Sequence, residues 1–395
     1  MIDGAGGASI LRGLFLNVIS GGFVGLILRR IFIGLCCSVL VACNTPRGAG
    51  LQSEVLAADG AVDANGEATY DFAVYQVSRN STPALRSWPD LGANGLGWIK
   101  RQVQPASLII APGDLLSIVI WDAEENSLLT GAGQRSVNLK DTPVSARGHI
   151  FIPFVGSMNV SGMSAESARS SIEQQLIATI PSAQVQLSVT PGRANTANLV
   201  SGVSSPGVYP LPDRDYTLLS LLSEGGGVRS TFVNPQVRLF RGSKVYATSI
   251  ARIYEDPDLD TTLVGGDRVI VEDDKRSFLS LGATGSEARH VFIKDNMTAL
   301  DALAIAGGVS DARADPQGVL ILRNYPMNAV RNDGTGPSKD RVVFTIDLTT
   351  ADGLFSASQF KLMPDDLVYA TESPVNAAVT IFGLLGTALG FANRL

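Results

Sequence analysis

The chain has 395 residues, 45% hydrophobic and 17% charged, with 41 glycines and 19 prolines. That is enough apolar material for two to four domains with cores of their own, and too much for a disordered chain. The formal charge of −6 leaves no broad basic stripe to neutralise a polyanion, which argues against a nucleic-acid partner.

The first recognisable element is an export signal. Arg29 and Arg30 flank an apolar run from Ile31 to Ala42. Its length suits a signal-peptide core and is short for a membrane span of ~20 residues. It closes on Leu40-Val41-Ala42-Cys43, the small-residues-before-cysteine pattern of a lipobox, in which the cysteine sulfur is acylated and becomes the new N-terminus. Residues 1–42 are expected to be a lipoprotein signal peptide, with Cys43 as the lipidation site. The competing reading is an ordinary membrane anchor with a chance cysteine. The 3 cysteines are Cys36, Cys37 and Cys43, so cleavage and acylation would leave neither a free thiol nor a disulfide. Asn44, not aspartate, follows the cysteine, which fits sorting to an outer membrane.

Residues 43–70 are small, polar and rich in glycine and alanine, and read as a lipidated flexible tether. Residues 71–104 read as a connecting segment, with a strand-like alternation from Asp71 to Val77 and a turn-rich stretch from Trp88 to Trp98. Residues 105–195 form a unit of their own. Gly148 to Gly156 reads as a strand pair about a central turn. Ser164 to Ile180 reads as an amphipathic helix with Ala168, Ile172, Leu176 and Ile180 on one face. Pro181 stops it, and Val185 to Val189 alternates as a strand.

Three segments share a tight turn ending in aspartate and followed by a hydrophobic strand. Their aspartates are Asp114, Asp267 and Asp366. Gly or Pro permits each turn and the aspartate can hydrogen-bond its own backbone there, so these residues are expected to be structural turns. A larger repeat frames the last two. Ser205 to Pro210 precedes Tyr216 to Val228, and Arg289 to Ile293 precedes Met297 to Val309. Both read as a strand, a helix capped by threonine (Thr217, Thr298), and a Gly-Gly stop. The pattern matches Leu218, Leu221 and Leu222 with Leu300, Leu303 and Ala304 on the helical apolar face. Each helix is followed by a strand bearing an arginine, Arg241 or Arg323, and then by the aspartate turn. This is an internal duplication over residues 196–275 and 276–372, and strands around one helix suggest a small β-grasp-like α+β unit.

Residues 373–395 are long enough, at ~1.5 Å per residue, to cross a bilayer core of ~30 Å as a helix. Pro374 suits its first turn. Asn376, Thr380, Gly383, Thr387, Gly390 and Arg394 fall on one stripe; Ile381, Phe382, Leu385 and Leu389 fall on the other side. A lone helix gains little by placing the polar stripe in lipid, whereas a ring of copies turns it to a water-filled lumen and the apolar side to lipid. Gly386 and Gly390 have the spacing that lets neighbouring helices approach. A helix packed on the soluble part of the protein, or lying flat on the membrane, is the alternative.

Chemistry is hard to place anywhere. The 2 histidines, His149 and His290, lie in different units and lack ligand or carboxylate partners at fixed spacing, so no metal and no cofactor is expected. No phosphate loop, dinucleotide fingerprint or nucleophile elbow stands in a supporting context. Gly225 to Gly227 and Gly307-Gly308 follow helices, the wrong end for phosphate. A non-enzymatic role is expected.

The order of lipobox, Pro-Gly-Asp turn (Pro112 to Asp114) with Trp121-Asp122, Gly148-x-Ile-x-Ile-Pro153-x-x-Gly156, helix and strand resembles the polysaccharide export (Poly_export) domain. The Ser205-Pro-Gly-Val-Tyr start and the two helix–Gly-Gly repeats look like two soluble-ligand-binding β-grasp (SLBB) domains. Together they resemble the outer-membrane polysaccharide export (OPX, Wza-type) lipoprotein family, close to its capsule-export branch. The resemblance implies an α+β chain with a periplasmic export domain, two β-grasp-like repeats and a C-terminal amphipathic transmembrane helix forming an oligomeric α-barrel. It implies a homo-oligomeric ring, octameric in its best-known member, and an inner-membrane polysaccharide co-polymerase or ABC-exporter adaptor as partner. It further implies an outer-membrane, lipid-anchored protein with a large periplasmic part and its C-terminus at the cell surface. Pro364-Asp365 replaces the turn glycine of the third aspartate motif, and residues 326–340 form a polar insertion. The function so implied is an outer-membrane translocon subunit exporting capsular polysaccharide or exopolysaccharide from periplasm to cell surface. The rival is a periplasmic sugar-binding or assembly scaffold of the export machinery.

Overall fold

The computed structural model describes residues 48–57, 71–92, 96–122 and 134–375. Its described part is mixed α+β, with sheets of six, five, three and two strands. It begins with a single turn of helix, Gln52–Val55, and a first strand, β1 (Ala73–Gln76).

The unit after residue 105 holds β2 (Leu115–Trp121), β3 (Ser136–Pro143), the hairpin β4 (His149–Ile152) and β5 (Gly156–Asn159), the helix Ala165–Ile177, and β6 (Gln184–Thr190). β2 is the centre of an antiparallel β3-β2-β6 sheet. Its alternation buries Leu116, Ile118 and Ile120, one side chain in two, as a strand with one covered face requires. The helix meets that face through Ala168, Ile172 and Leu176, all fully buried. Ser164 caps it by accepting from the Ser167 amide at 3.1 Å. The helix ends at Ile177, short of the expected Ile180, yet Ile180 stays in the core through a last turn bonded to the Leu176 carbonyl.

The two repeats have one topology. The first is β7 (Thr196–Ser201), β8 (Gly207–Pro210), helix Leu218–Glu224, β9 (Gln236–Arg241), β10 (Lys244–Ser249), helix Ile250–Glu255 and β11 (Arg268–Glu272). The second is β12 (Ser277–Gly282), β13 (Ala288–Val291), helix Ala299–Ile305, β14 (Ala314–Asn324), β15 (Arg341–Ile346), helix Ala351–Gln359 and β16 (Leu367–Glu372). The sheets order as β10-β9-β11-β7-β8 and β15-β14-β16-β12-β13. In both, the first and last strands pair in parallel. Gly202 and Gly282 close that pairing at equivalent positions. Their φ values are +82° and +84°, and a Cβ there would stand 2.0 Å from the Val271 carbonyl oxygen and 2.3 Å from that of Ala370. Only glycine fits such a site.

Two expectations need correction here. The helix faces align one residue earlier than the pattern suggests. Leu218, Leu221 and Leu222 correspond to Ala299, Ala302 and Leu303, which are buried, while Leu300 is 36% exposed. Counting from the capping threonines gives this register, and the leucine count misled because alanine holds two core positions of the second copy.

Residues 71–104 are also more than a connection. β1 pairs in parallel with β15 and makes the second repeat's sheet six-stranded. Val77 and Trp88 are buried in that repeat's core. Further on, Trp98 and Ile99 pack on the core of the first repeat. There the Trp98 indole donates to the Leu259 carbonyl at 2.7 Å, and Arg101 pairs with Asp215 at 3.0 Å. The segment thus runs down the molecule, over the second repeat and then the first, before entering the export-like unit. Alternation over four residues shows a strand but not the edge it joins.

Candidate functional site

The three turn aspartates are at most 1% exposed. Each accepts the amide three residues before it: Ala111 to Asp114 at 2.8 Å, Val264 to Asp267 at 2.9 Å, Met363 to Asp366 at 2.8 Å. The turn residue before the aspartate is left-handed in all three, Gly113 at φ 91°, Gly266 at 86° and Asp365 at 64°. Aspartate is one of the few side chains that tolerate this region, which is how the third copy dispenses with glycine.

Within the repeats the arginine of the preceding strand completes each aspartate. Arg241 donates to Asp267 through Nε at 2.9 Å and Nη2 at 2.6 Å. Arg323 does the same to Asp366 at 2.8 and 2.7 Å. Both arginines continue to a backbone carbonyl, Thr262 and Lys361, at 2.8 and 2.9 Å. Burial pushes the Asp366 carboxyl up, and Arg323 opposes this; burial also draws Arg323 down, but Asp366 and Tyr325 more than offset it and hold the guanidinium above its usual value. Asp114 has no arginine and takes the Gly192 amide at 2.7 Å and the Asn195 amide group at 2.8 Å instead. It therefore pins the linker between the export-like unit and the first repeat. Both oxygens of each of these carboxylates are hydrogen-bonded within the fold, and the residues are buried. The sequence displayed both arginines and all three aspartates; what it could not show is that they face one another across neighbouring strands.

A second polar knot, which sequence reasoning missed, joins the repeats. Asp295 accepts from the Ser249 hydroxyl and from Asn234 and Gln236 at 3.2 Å each, and lies 3.6 Å from Arg276. Arg276 is held in a fork by Asp274. Burial works to raise the Asp295 carboxyl, but the three donors and Arg276 outweigh it and leave it below the usual range. A carboxylate lowered on folding stabilises the fold above its unfolded pKa of ~3.9 and loses this as pH falls through the folded value. Below pH ~4 the melting temperature is expected to drop by roughly a few degrees, and Asp295→Asn, melted across the same range, should lose that part of the acid response.

The two histidines make local contacts in separate units. His149 Nδ1 lies 3.0 Å from the Arg147 carbonyl. His290 stacks on Phe278 at 5.0 Å with Nε2 2.8 Å from Ser280 Oγ. Among the described residues no group of three potential ligands could hold a metal.

The end of the second repeat gathers both termini of the described chain. Residues 48–57 were expected to be tether, yet they dock there. The Gly50 amide donates to the Tyr369 hydroxyl at 2.8 Å, its carbonyl accepts from the Glu372 amide at 3.1 Å, and Ala49 is buried. No strand alternation runs through this stretch, so its pattern did not signal a contact. A Cβ on Gly48 would stand 3.0 Å from Arg313 and 3.4 Å from Glu372, and Arg313 bonds Ser373 through its carbonyl at 2.8 Å. Gly48 and the start of the tail therefore share one pole of the molecule. Cys43 precedes Gly48 by five peptide units, a reach of at most ~18 Å.

Cys43, the signal segment, and the tail residues Asn376, Thr380, Gly383, Thr387, Gly390 and Arg394 with Ile381, Phe382, Leu385 and Leu389 lie outside the described residues. Among the described residues, no helix is long and apolar enough to cross a membrane.

A family model described as polysaccharide biosynthesis/export protein matches residues 102–190, the unit built on β2, β3 and β6. Over longer stretches the chain is similar to several curated proteins. It is 25% identical over 281 residues to the capsule polysaccharide export protein BexD of Haemophilus influenzae, covering 67% of this chain and 71% of that one. It is 26% identical over 280 residues to the capsule polysaccharide export outer membrane protein CtrA of Neisseria meningitidis, covering 67% and 72%. With the EPS I polysaccharide export outer membrane protein EpsA of Ralstonia solanacearum it shares 28% over 308 residues, covering 71% and 78%.

Proposed function

Because this chain belongs to the outer-membrane polysaccharide export family, capsule-export branch, we propose that its role in polysaccharide export at the outer membrane is that of a conduit subunit. In this reading it is anchored by lipid on Cys43 and by its C-terminal helix. The observation that carries it is the shared pole: Gly48, just downstream of the acylation site, lies against Arg313 and Glu372, where the tail departs. An acyl chain and an amphipathic helix leaving one end of the molecule both favour a lipid surface at that end. The export-like unit then sits at the opposite end, two repeats away, and faces the inner-membrane partner, a polysaccharide co-polymerase or ABC-exporter adaptor.

Copies assemble as a ring, with eight members as the working number. The stripe Asn376, Thr380, Gly383, Thr387, Gly390 and Arg394 lines a wet lumen, while Ile381, Phe382, Leu385 and Leu389 meet lipid. Hydroxyl, amide and glycine along that wall hydrate a sliding polymer without gripping it. Its relatives' names denote transport, and this reading assigns no catalysis and no cofactor to the chain. The energy for transport comes from elsewhere.

A tag placed after Leu395 is expected to be reached by antibody on intact cells, and Cys43→Ser to release the protein from the lipid anchor. A tag accessible only after the outer membrane is breached would support the rival, a periplasmic sugar-binding or assembly scaffold.

A further inference from the structure

The second helix of each repeat presents an exposed aromatic at the same place. Ser249 and Thr350 cap these helices by accepting the amides of Arg252 and Gly353. Five residues on stand Tyr254 and Phe355, each 66% exposed. Neither ring is part of a core, and the two stand at equivalent positions of the two repeats. At Phe355 the surroundings are concave. The helix meets residues 79–86, the stretch following β1, around a cavity of about 480 Å³ lined by Arg79, Arg86, Asp352, Phe355, Ser356 and Gln359. Its polar rim is braced. The Arg79 amide donates to Asp352 at 3.2 Å and its side chain lies 3.7 Å from the same carboxylate, while Arg86 donates to Gln359 at 3.1 Å.

We infer that this cavity holds one sugar residue of the polymer, with the ring's C–H face on Phe355 and its hydroxyls on the planar groups of Arg79, Arg86, Asp352 and Gln359. A pyranose presents an apolar face and a rim of paired hydroxyls. An aromatic platform beside forked guanidinium, carboxylate and amide groups matches both parts. Arg86 is engaged by a neutral amide, so the site also accepts a uronic carboxylate. Tyr254 is the equivalent platform one repeat further from the membrane-facing pole. Weak contacts repeated along the chain's length guide a polymer without arresting it. This rests on the export reading and adds to it a place where the polymer touches the protein.

The test uses the full-length protein in detergent with two probes, maltoheptaose and a hyaluronan hexasaccharide, at millimolar concentration, followed by saturation-transfer NMR. Transfer to sugar C–H protons is expected in the wild type, to fall about fivefold in Phe355→Ala and to return in Phe355→Trp. Because Phe355 is exposed, its removal leaves the core intact. Equal transfer in wild type and Phe355→Ala overturns the site, as does no transfer from either probe. So does a loss of assembly in Phe355→Ala with sugar contact retained, which would assign the ring to a neighbouring copy. Surface polysaccharide in cells lacking the chain reads export separately: if polymer is lost there but no transfer is seen, the site falls and the export role stands.

Discussion

Replacing Arg323 with methionine is expected to destabilise the second repeat by about 3–5 kcal/mol, the cost of leaving one member of a buried ion pair alone. Asp366 is fully buried and Arg323 only 4% exposed, so the carboxylate would keep a single partner, the Met363 amide. The guanidinium is also packed, 5.0 Å from the centre of the Phe344 ring and 5.2 Å from that of Phe360, and methionine retains part of that contact. Converting both residues, as Arg323→Met with Asp366→Leu, should recover most of the loss, because no orphan charge remains. Denaturant melts of the single and double variants distinguish this from simple loss of packing, in which case the double variant would be no better than the single. The matching change in the first repeat, Arg241→Met, should cost less, since Arg241 is 26% exposed and water would reach Asp267.

The duplication was legible because its signals are local. A threonine cap, a Gly-Gly stop and an aspartate turn each declare themselves within four residues, and Thr217, Thr298, Asp267 and Asp366 all sit where such patterns put them. The pairing of Arg323 with Asp366 depends on two strands being neighbours, 43 residues apart in sequence, and no periodicity reports that. The helix Ala351–Gln359 went unnoticed for another reason: its buried face is Gly353, Ser356 and Ala357, too small and polar to read as a hydrophobic stripe. The cavity beside it is invisible in sequence because one wall comes from residues 79–86. The docking of residues 48–57 escaped because backbone groups of Gly50 make the contact, and no side-chain pattern reports those.

Trp88→Ala should cost the second repeat about 3–5 kcal/mol, the range for removing a buried aromatic, although Trp88 precedes that repeat by the length of two other units. The indole is 8% exposed. It meets Tyr75 edge-on at 4.9 Å, Tyr325 at 6.0 Å and Phe344 at 5.9 Å, and donates to the Gly334 carbonyl at 3.2 Å. The loop carrying Gly334 is the polar insertion of residues 326–340, so this tryptophan holds that insertion against the core. Hydrogen exchange is the sharper measurement. Protection should fall in β15 and in the 326–340 loop, while the β2-β3-β6 sheet, with its separate core, exchanges as before. Uniform loss across all units would show that the repeats melt together.

The route of residues 71–104 has a consequence for how the molecule is made. β1 is one of the first strands to leave the ribosome and the translocation pore, yet its mate β15 follows 269 positions later, as the Ala73–Val342 register shows. A pairing so distant in sequence is slow to form, because the ends of a long loop must find each other before any contact rewards them. The export-like unit and the first repeat can complete their own sheets while β1 still waits. The last repeat, on which residues 48–50 also dock, is then the last to mature. The order of folding withholds that end of the protein until the last strand of the repeat has arrived.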